Sequence, residues 1–186
     1  RTMKVATEGG ARVVREAVRG YGAACLCGIA NLAEACEVVV FLDADYSDHP
    51  DELPRLVAPV ERGEADLVIG SRILGNAEPG ALLPQARFGN RLACFLMRVL
   101  FRQRYTDLGP FRAVTRTGLS RMQMRDTNFG WTVEMQIKAA KQGIPHLEVP
   151  VSYRPRIGVS KISGTVKGSL SAGAKILWLL GRYAWS

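Results

Sequence analysis

Two aspartates, Asp43 and Asp45, follow the apolar run Val38-Val39-Val40-Phe41-Leu42. That run is rich in β-branched residues and reads as a strand buried on both faces. Side chains two apart on an extended backbone project to the same side. Both carboxylates then converge at the carboxyl end of a strand, the edge where open α/β sheets bind ligands. Neighbouring anions repel unless a cation lies between them, and hard oxygen donors suit Mg²⁺ or Mn²⁺. Such a metal could hold a diphosphate. The competing reading is a plain turn, because Ser47, Asp48 and Pro50 are turn or cap residues. A D-x-D pattern is too short to decide by itself.

Five further constellations carry possible chemistry. Arg72 follows the strand-like Leu67-Val68-Ile69-Gly70-Ser71 and could fork onto a phosphate, or be a surface arginine. Arg87, Asn90 and Arg91 open an apolar helix, whose first N–H groups favour anions; Asn90 could equally cap it. Asp107 lies in the tight segment Thr106–Arg112, as a general base or hydroxyl ligand or as an Asx-turn residue, with Arg112 as a candidate partner. Beyond it, Tyr153 to Lys161 forms a basic loop. Arg154, Arg156, Ser160 and Lys161 there suit a clamp for a multiply charged anion, against the alternative of a solvated loop. Glu134, in the first turn of a helix starting near Gly130-Trp131, is either an acceptor-binding or catalytic acid or a favourable dipole partner.

The elements that must position these groups follow from periodicity. Ala11–Val14 is a short strand candidate, Gly22–Ala35 a helix, and Val38–Leu42 the central strand. Pro50–Arg62 reads as a helix with Asp48 as N-cap, and Asp66–Gly70 as a strand. Gly75–Ala86 is a loop, Phe88–Phe101 an apolar helix, and Thr106–Val114 irregular and then extended. Trp131–Gln142 is a helix ending at a left-handed Gly143, His146–Tyr153 a strand, and Thr165–Tyr183 an amphipathic helix. Strands separated by helices imply βαβ units and a largely parallel sheet in one domain over 1–186, with 164–186 as its carboxy-terminal helix.

Bulk properties narrow the partners. The net charge of +8 favours anionic ones: nucleotides, phospholipid headgroups or nucleic acid. No nucleic-acid module or aromatic interleaving is visible, so nucleic acid is not expected. Cys25, Cys27, Cys36 and Cys94 lack the paired spacing of a zinc site, and His49 and His146 lie far apart. Reduced thiols point to the cytoplasm. No leader pattern opens the chain, and its apolar runs fall short of the roughly 20 residues of a membrane span. Trp178, Tyr183 and Trp185 beside Lys175 and Arg182 suit a membrane surface, against the alternative of a helix packed on the core.

Taken in order, these segments resemble the family 2 glycosyltransferases of the GT-A fold. Within them the likeness is to dolichyl-phosphate or polyprenyl-phosphate sugar transferases. The residues that carry it are Phe41–Asp45 with His49-Pro50, Val68–Arg72, Gly89-Asn90-Arg91, Thr106-Asp107 to Gly109 with Phe111-Arg112-Ala113, Gly130–Glu134, and Arg156–Gly164. The resemblance implies a three-layer α/β sandwich with a mostly parallel central sheet. It implies an inverting, metal-dependent hexosyltransferase that moves a sugar from a UDP- or GDP-linked donor to a polyprenyl or dolichyl phosphate. Asp43 and Asp45 would hold Mg²⁺ or Mn²⁺. Arg72, Arg87, Arg156, Ser160 and Lys161 would handle phosphates, and Asp107 would stand near the acceptor. The protein is expected at the inner face of a membrane, peripherally. The family's first strand and its D-G-S-like turn have no counterpart ahead of residue 38, so a sheet truncated at its amino terminus is expected. Two alternatives stay open: transfer to a soluble or polysaccharide acceptor, and an inactive anion-binding fragment.

Overall fold

The computed structural model describes residues 2–158 and 165–185. Among these residues four strands form one sheet in the order β1-β3-β2-β4: β1 Val38–Phe41, β2 Leu67–Ala77, β3 Arg112–Thr115 and β4 His146–Tyr153. β2 and β4 pair in parallel, whereas β3 runs antiparallel to both β1 and β2. β1, β2 and β4 therefore point the same way, and β3 alone opposes them. The expected mostly parallel sheet holds with that one reversal.

The reversal positions the site. β3 starts where β1 ends and where the β2–β3 pairing stops, with Arg112 opposite both Phe41 and Ile69. The turn ahead of β3 thus meets the carboxyl ends of the β1 and β2 pairings at one edge. Asp43, Arg72 and Asp107 are brought together by register although they are far apart in sequence.

Helices cover both faces, giving three layers. α3 (Leu53–Glu61), entered through a 3₁₀ turn at Pro50–Glu52, packs Leu56 and Val60 against Val68, Ala113 and Val151. The opposite face takes Leu67, Ile69 and Val114. Alternation along β2 sends Val68 one way and Leu67 and Ile69 the other, as a period of two requires. On that second face lie α2 (Tyr21–Ala30), α4 (Pro84–Phe101), α5 (Arg116–Met122), α6 (Trp131–Lys141) and α7 (Val166–Ala184). Trp131, at zero exposure, packs edge-on against Phe41 with ring centroids 5.8 Å apart. An initial helix, α1 (Thr2–Glu8), buries nothing.

Several expectations need correction. Residues 11–17 form no strand, because no neighbouring strand supplies partners for their backbone among the described residues. β1 is a sheet-edge strand with Val38 and Val40 half-buried, not buried on both faces. α2 ends at Ala30, where the Asn31 side chain donates to the Cys27 carbonyl at 2.9 Å. β2 does not stop at Gly70 but follows β4 to Ala77 across a register shift. Gly75 permits that shift, since a Cβ there would lie 2.0 Å from the Val151 carbonyl oxygen. α5 was not anticipated; Thr115 caps it by accepting from the Gly118 amide. Gly143 has the expected left-handed φ of 62°.

Candidate active site

A cavity of about 560 Å³ opens at the sheet edge, lined in part by Tyr21, Asp43, Arg72, Tyr153 and Arg156. Its size falls within the range of small-molecule sites. Asp43 reaches it two residues after β1 ends. The strand geometry expected for residues 43–45 is absent, because Ala44 to Tyr46 bend. Asp45 turns into that bend: its Oδ1 accepts from the Ser47 amide at 3.0 Å and from the Ser47 hydroxyl, and its Oδ2 pairs with Arg156. The two acids still feel one another. Burial pushes the Asp43 carboxyl above its usual range, the Asp45 charge adds to this, and Arg156 and Arg72 oppose it.

Asp48 joins this acidic cluster. Its Oδ2 accepts from the Asp43 amide at 3.1 Å, so it braces the loop and does not cap α3. Among the described residues its Oδ1 is buried without a hydrogen-bond partner. Burial, with the Asp43 charge, lifts its pKa to about 6. A buried acceptor left bare beside two further carboxylates calls for a cation or water. Among the described residues no group of three or more side chains forms a ready metal cage. One or two carboxylates completed by substrate phosphates is the donor set on which Mg²⁺-type ions rely. The residues therefore fit a divalent ion held jointly with a diphosphate. Among the described residues Asp43 is in no ion pair.

Arg72 faces this cluster across the cavity and is anchored to Asp107. The Asp107 carboxylate, at zero exposure, takes the Arg72 Nε at 2.7 Å, its Nη2 at 2.6 Å and its backbone amide at 2.8 Å. Burial works against the guanidinium charge, but Asp107 outweighs it and raises the Arg72 pKa. The Arg72 guanidinium also stacks 5.0 Å from the Tyr153 ring centre. Asp107 is held in turn: Glu148 accepts from the amides of Thr106 and Asp107 at 2.9 and 3.1 Å, and Gln136 donates to the Asp107 carbonyl at 3.0 Å. Asn90 closes the turn, donating to the Thr106 carbonyl at 3.0 Å and accepting from the Leu108 amide at 2.9 Å.

Other sequence candidates lie elsewhere. Arg112 is buried and does not pair with Asp107; its guanidinium donates to the carbonyls of Gly109 and Thr132. Glu134 is buried away from the cavity lining, accepting from the Asp126 amide at 2.7 Å and the Tyr183 hydroxyl at 3.0 Å and pairing with Lys138 at 2.8 Å. The reason is that α6 turns that face toward α7 and the 125–126 loop. Arg154 packs 3.3 Å above the Tyr46 ring and donates to the Tyr46 carbonyl, supporting the acidic loop from outside the cavity. Arg87 and Arg91 are exposed and line neither this cavity nor its neighbour. Ser160 and Lys161 lie outside the described residues. Sequence reasoning missed Tyr21, whose hydroxyl is pushed strongly up by burial and the Asp43 charge. It also missed Tyr153 and Glu148; alternating strand residues carry no motif that marks them.

A second compartment of about 230 Å³ adjoins the first and shares Arg72, Ala86, Thr132 and Ala172 with it. It runs between α4 and α7, where Gly89 and Gly173 keep it open, and its lining is mainly apolar.

A three-layer α/β sandwich with paired acids and an anchored arginine at one sheet edge defines the class as a GT-A-type fold. Residues 2–127 match the family model described as glycosyl transferase family 2, and the chain belongs to that family. It is 37% identical over 174 residues to an uncharacterized glycosyltransferase of Mycobacterium tuberculosis (strain ATCC 25618 / H37Rv), covering 92% of this chain and 77% of that one. It is 34% identical over 173 residues to the dolichyl-phosphate hexose transferase of Haloferax volcanii, covering 91% and 72%. Among solved structures it resembles glucosyl-3-phosphoglycerate synthase from Mycobacterium tuberculosis in complex with Mn²⁺, UDP and glucosyl-3-phosphoglycerate. That match has a TM-score of 0.76 at 21% identity, over 98% of this chain and 64% of that one. The chain thus spans slightly under two thirds of the solved protein's length.

Proposed function

We propose that this protein is an inverting, metal-dependent hexosyltransferase that moves a sugar from a UDP- or GDP-linked donor to a polyprenyl or dolichyl phosphate at a membrane surface. The observation that carries this reading is the single cavity in which Asp43, Arg156 and the Asp107-anchored Arg72 face one another. Asp43 and Asp45 would hold the divalent ion, which supplies neutralisation of the charge that develops on the departing diphosphate. Arg72 and Arg156 draw two anions, donor diphosphate and acceptor phosphate, into one site that would otherwise repel them. The acceptor phosphate is already ionised, so its oxygen attacks the anomeric carbon without a strong base. The C–O bond to the diphosphate breaks on the opposite side, and the configuration inverts. Asp107 acts through Arg72, fixing the fork, while Ser160 and Lys161 are proposed as further hydrogen-bond donors to phosphate.

The apolar second compartment, reached past Arg72, supports a lipid-linked acceptor, as does the Haloferax relative's name. A soluble acceptor is the second reading, favoured by the likeness to glucosyl-3-phosphoglycerate synthase. Incubation with labelled UDP- and GDP-hexoses, Mn²⁺ or Mg²⁺, and either polyprenyl phosphate or 3-phosphoglycerate separates them. Label in the solvent-extractable lipid supports the proposal, and label only on the soluble acid favours the second reading. Nucleoside diphosphate binding without any transfer would leave an anion-binding module.

A further inference from the structure

Helix α4 is apolar on the side that faces away from the core. Ala93, Cys94 and Met97 are buried, yet Phe88, Leu92, Phe95 and Val99 repeat at spacings of four, three and four along the opposite side. Phe88, Phe95 and Val99 are 71%, 59% and 57% exposed. Helices of water-facing proteins normally carry charge on that side. α7, which packs along α4, does the same: Leu179 and Leu180 are buried, while Leu170, Leu177 and Trp178 are exposed. Contiguous outward apolar faces of this kind mark contact with a partner or a membrane.

The charges around these faces identify the partner. No Asp or Glu occurs between Glu78 and Asp107, or between Glu148 and Ser186, so neither helix carries an acid. Arg91 and Arg98 stand exposed beside the α4 stripe. On α7, Arg182 lies 5.0 Å from the Trp178 ring centre, and Lys175, 4.9 Å from it, is paired with Asp126 at 2.9 Å and keeps about a third of its side chain exposed. Aromatic and aliphatic side chains edged by arginine and lysine match the boundary between acyl chains and anionic headgroups. A second copy of this chain fits poorly, because pairing these faces would set arginine against arginine in a protein of net charge +8. Among the described residues no helix is long and apolar enough to cross a membrane, so the contact is with its surface.

We propose that α4 and α7 together form a docking face for an anionic lipid bilayer, with Phe88 and Phe95 of α4 as inserted anchors. The inference rests on the membrane-surface reading proposed for this protein, and vesicle binding tests it without donor or acceptor. Co-sedimentation with vesicles of phosphatidylcholine, with and without 30% phosphatidylglycerol, tests it. Binding to the anionic vesicles alone is expected, weakened at least tenfold by 0.5 M NaCl. Phe88→Ser with Phe95→Ser, and separately Arg98→Glu, should each cut vesicle affinity at least tenfold while circular dichroism and nucleoside diphosphate binding stay unchanged. Equal binding to neutral vesicles, or unchanged vesicle affinity in the variants, would overturn the proposal. So would a salt-stable dimer in sedimentation that the phenylalanine variants dissolve, which would give the face to a second copy.

Discussion

Asp107 commits both carboxylate oxygens to Arg72, and this pair ties the centre of the cavity to the rest of the molecule. Removing one partner of a buried ion pair leaves the other uncompensated. Asp107→Asn is therefore expected to lower stability by about 3 kcal/mol in denaturant unfolding. Arg72→Lys keeps the charge but loses the fork, and should weaken nucleoside diphosphate binding with a smaller stability loss. Asp48 makes the opposite case. Its pKa is raised to about 6 from 3.8, so the folded chain binds its proton more tightly than the unfolded one. Metal-free protein should accordingly lose stability as pH rises through that window, by on the order of 3 kcal/mol, and remain lowered at neutral pH. Asp48→Asn should flatten this pH dependence and raise the metal-free melting temperature at pH 7.5; an unchanged profile would exclude Asp48 as its source. The acidic residues were legible in sequence, but their division of labour was not. Asp48 reads as a helix cap, and Asp107 as a base, hydroxyl ligand or turn residue paired with the nearby Arg112, because its true partner 35 residues away leaves no local sign.

The elements that build the site follow largely from periodicity: α6, β4 and α7 appear close to their expected bounds, while α4 opens at Pro84, inside the segment expected as loop. The exceptions are tertiary in origin. β2 runs on to Ala77 because β4 offers it a ladder past a shift that Gly75 allows. The reversed direction of β3, which delivers the Asp107 turn to the sheet edge, cannot be read from four residues. Between α4 and α7, a Cβ at Gly173 would meet no atom within 4 Å, so the groove there is open. Gly173→Leu should fill it without disturbing the fold. We expect kcat/KM for a polyprenyl phosphate to fall at least tenfold and nucleoside diphosphate affinity to hold. Equal transfer rates would remove the groove from the acceptor path.

At the scale of the whole molecule, the charge of +8 is unevenly placed. Asp43, Asp45, Asp48 and Asp107 gather about the edge cavity, and the acid-free helices α4 and α7 flank its second compartment. A donor diphosphate, a divalent ion and a lipid-borne phosphate could thus meet where the basic outer face comes against a bilayer. The account depends on the cavity at the sheet edge holding a metal-bound diphosphate. Isothermal titration of UDP and GDP into the protein, with and without Mn²⁺, tests this most directly. The expected result is saturable binding of one nucleotide that requires the ion and disappears in Asp43→Ala, while that variant unfolds at least as late as the parent. Binding that persists without the ion, or survives Asp43→Ala unchanged, would contradict it.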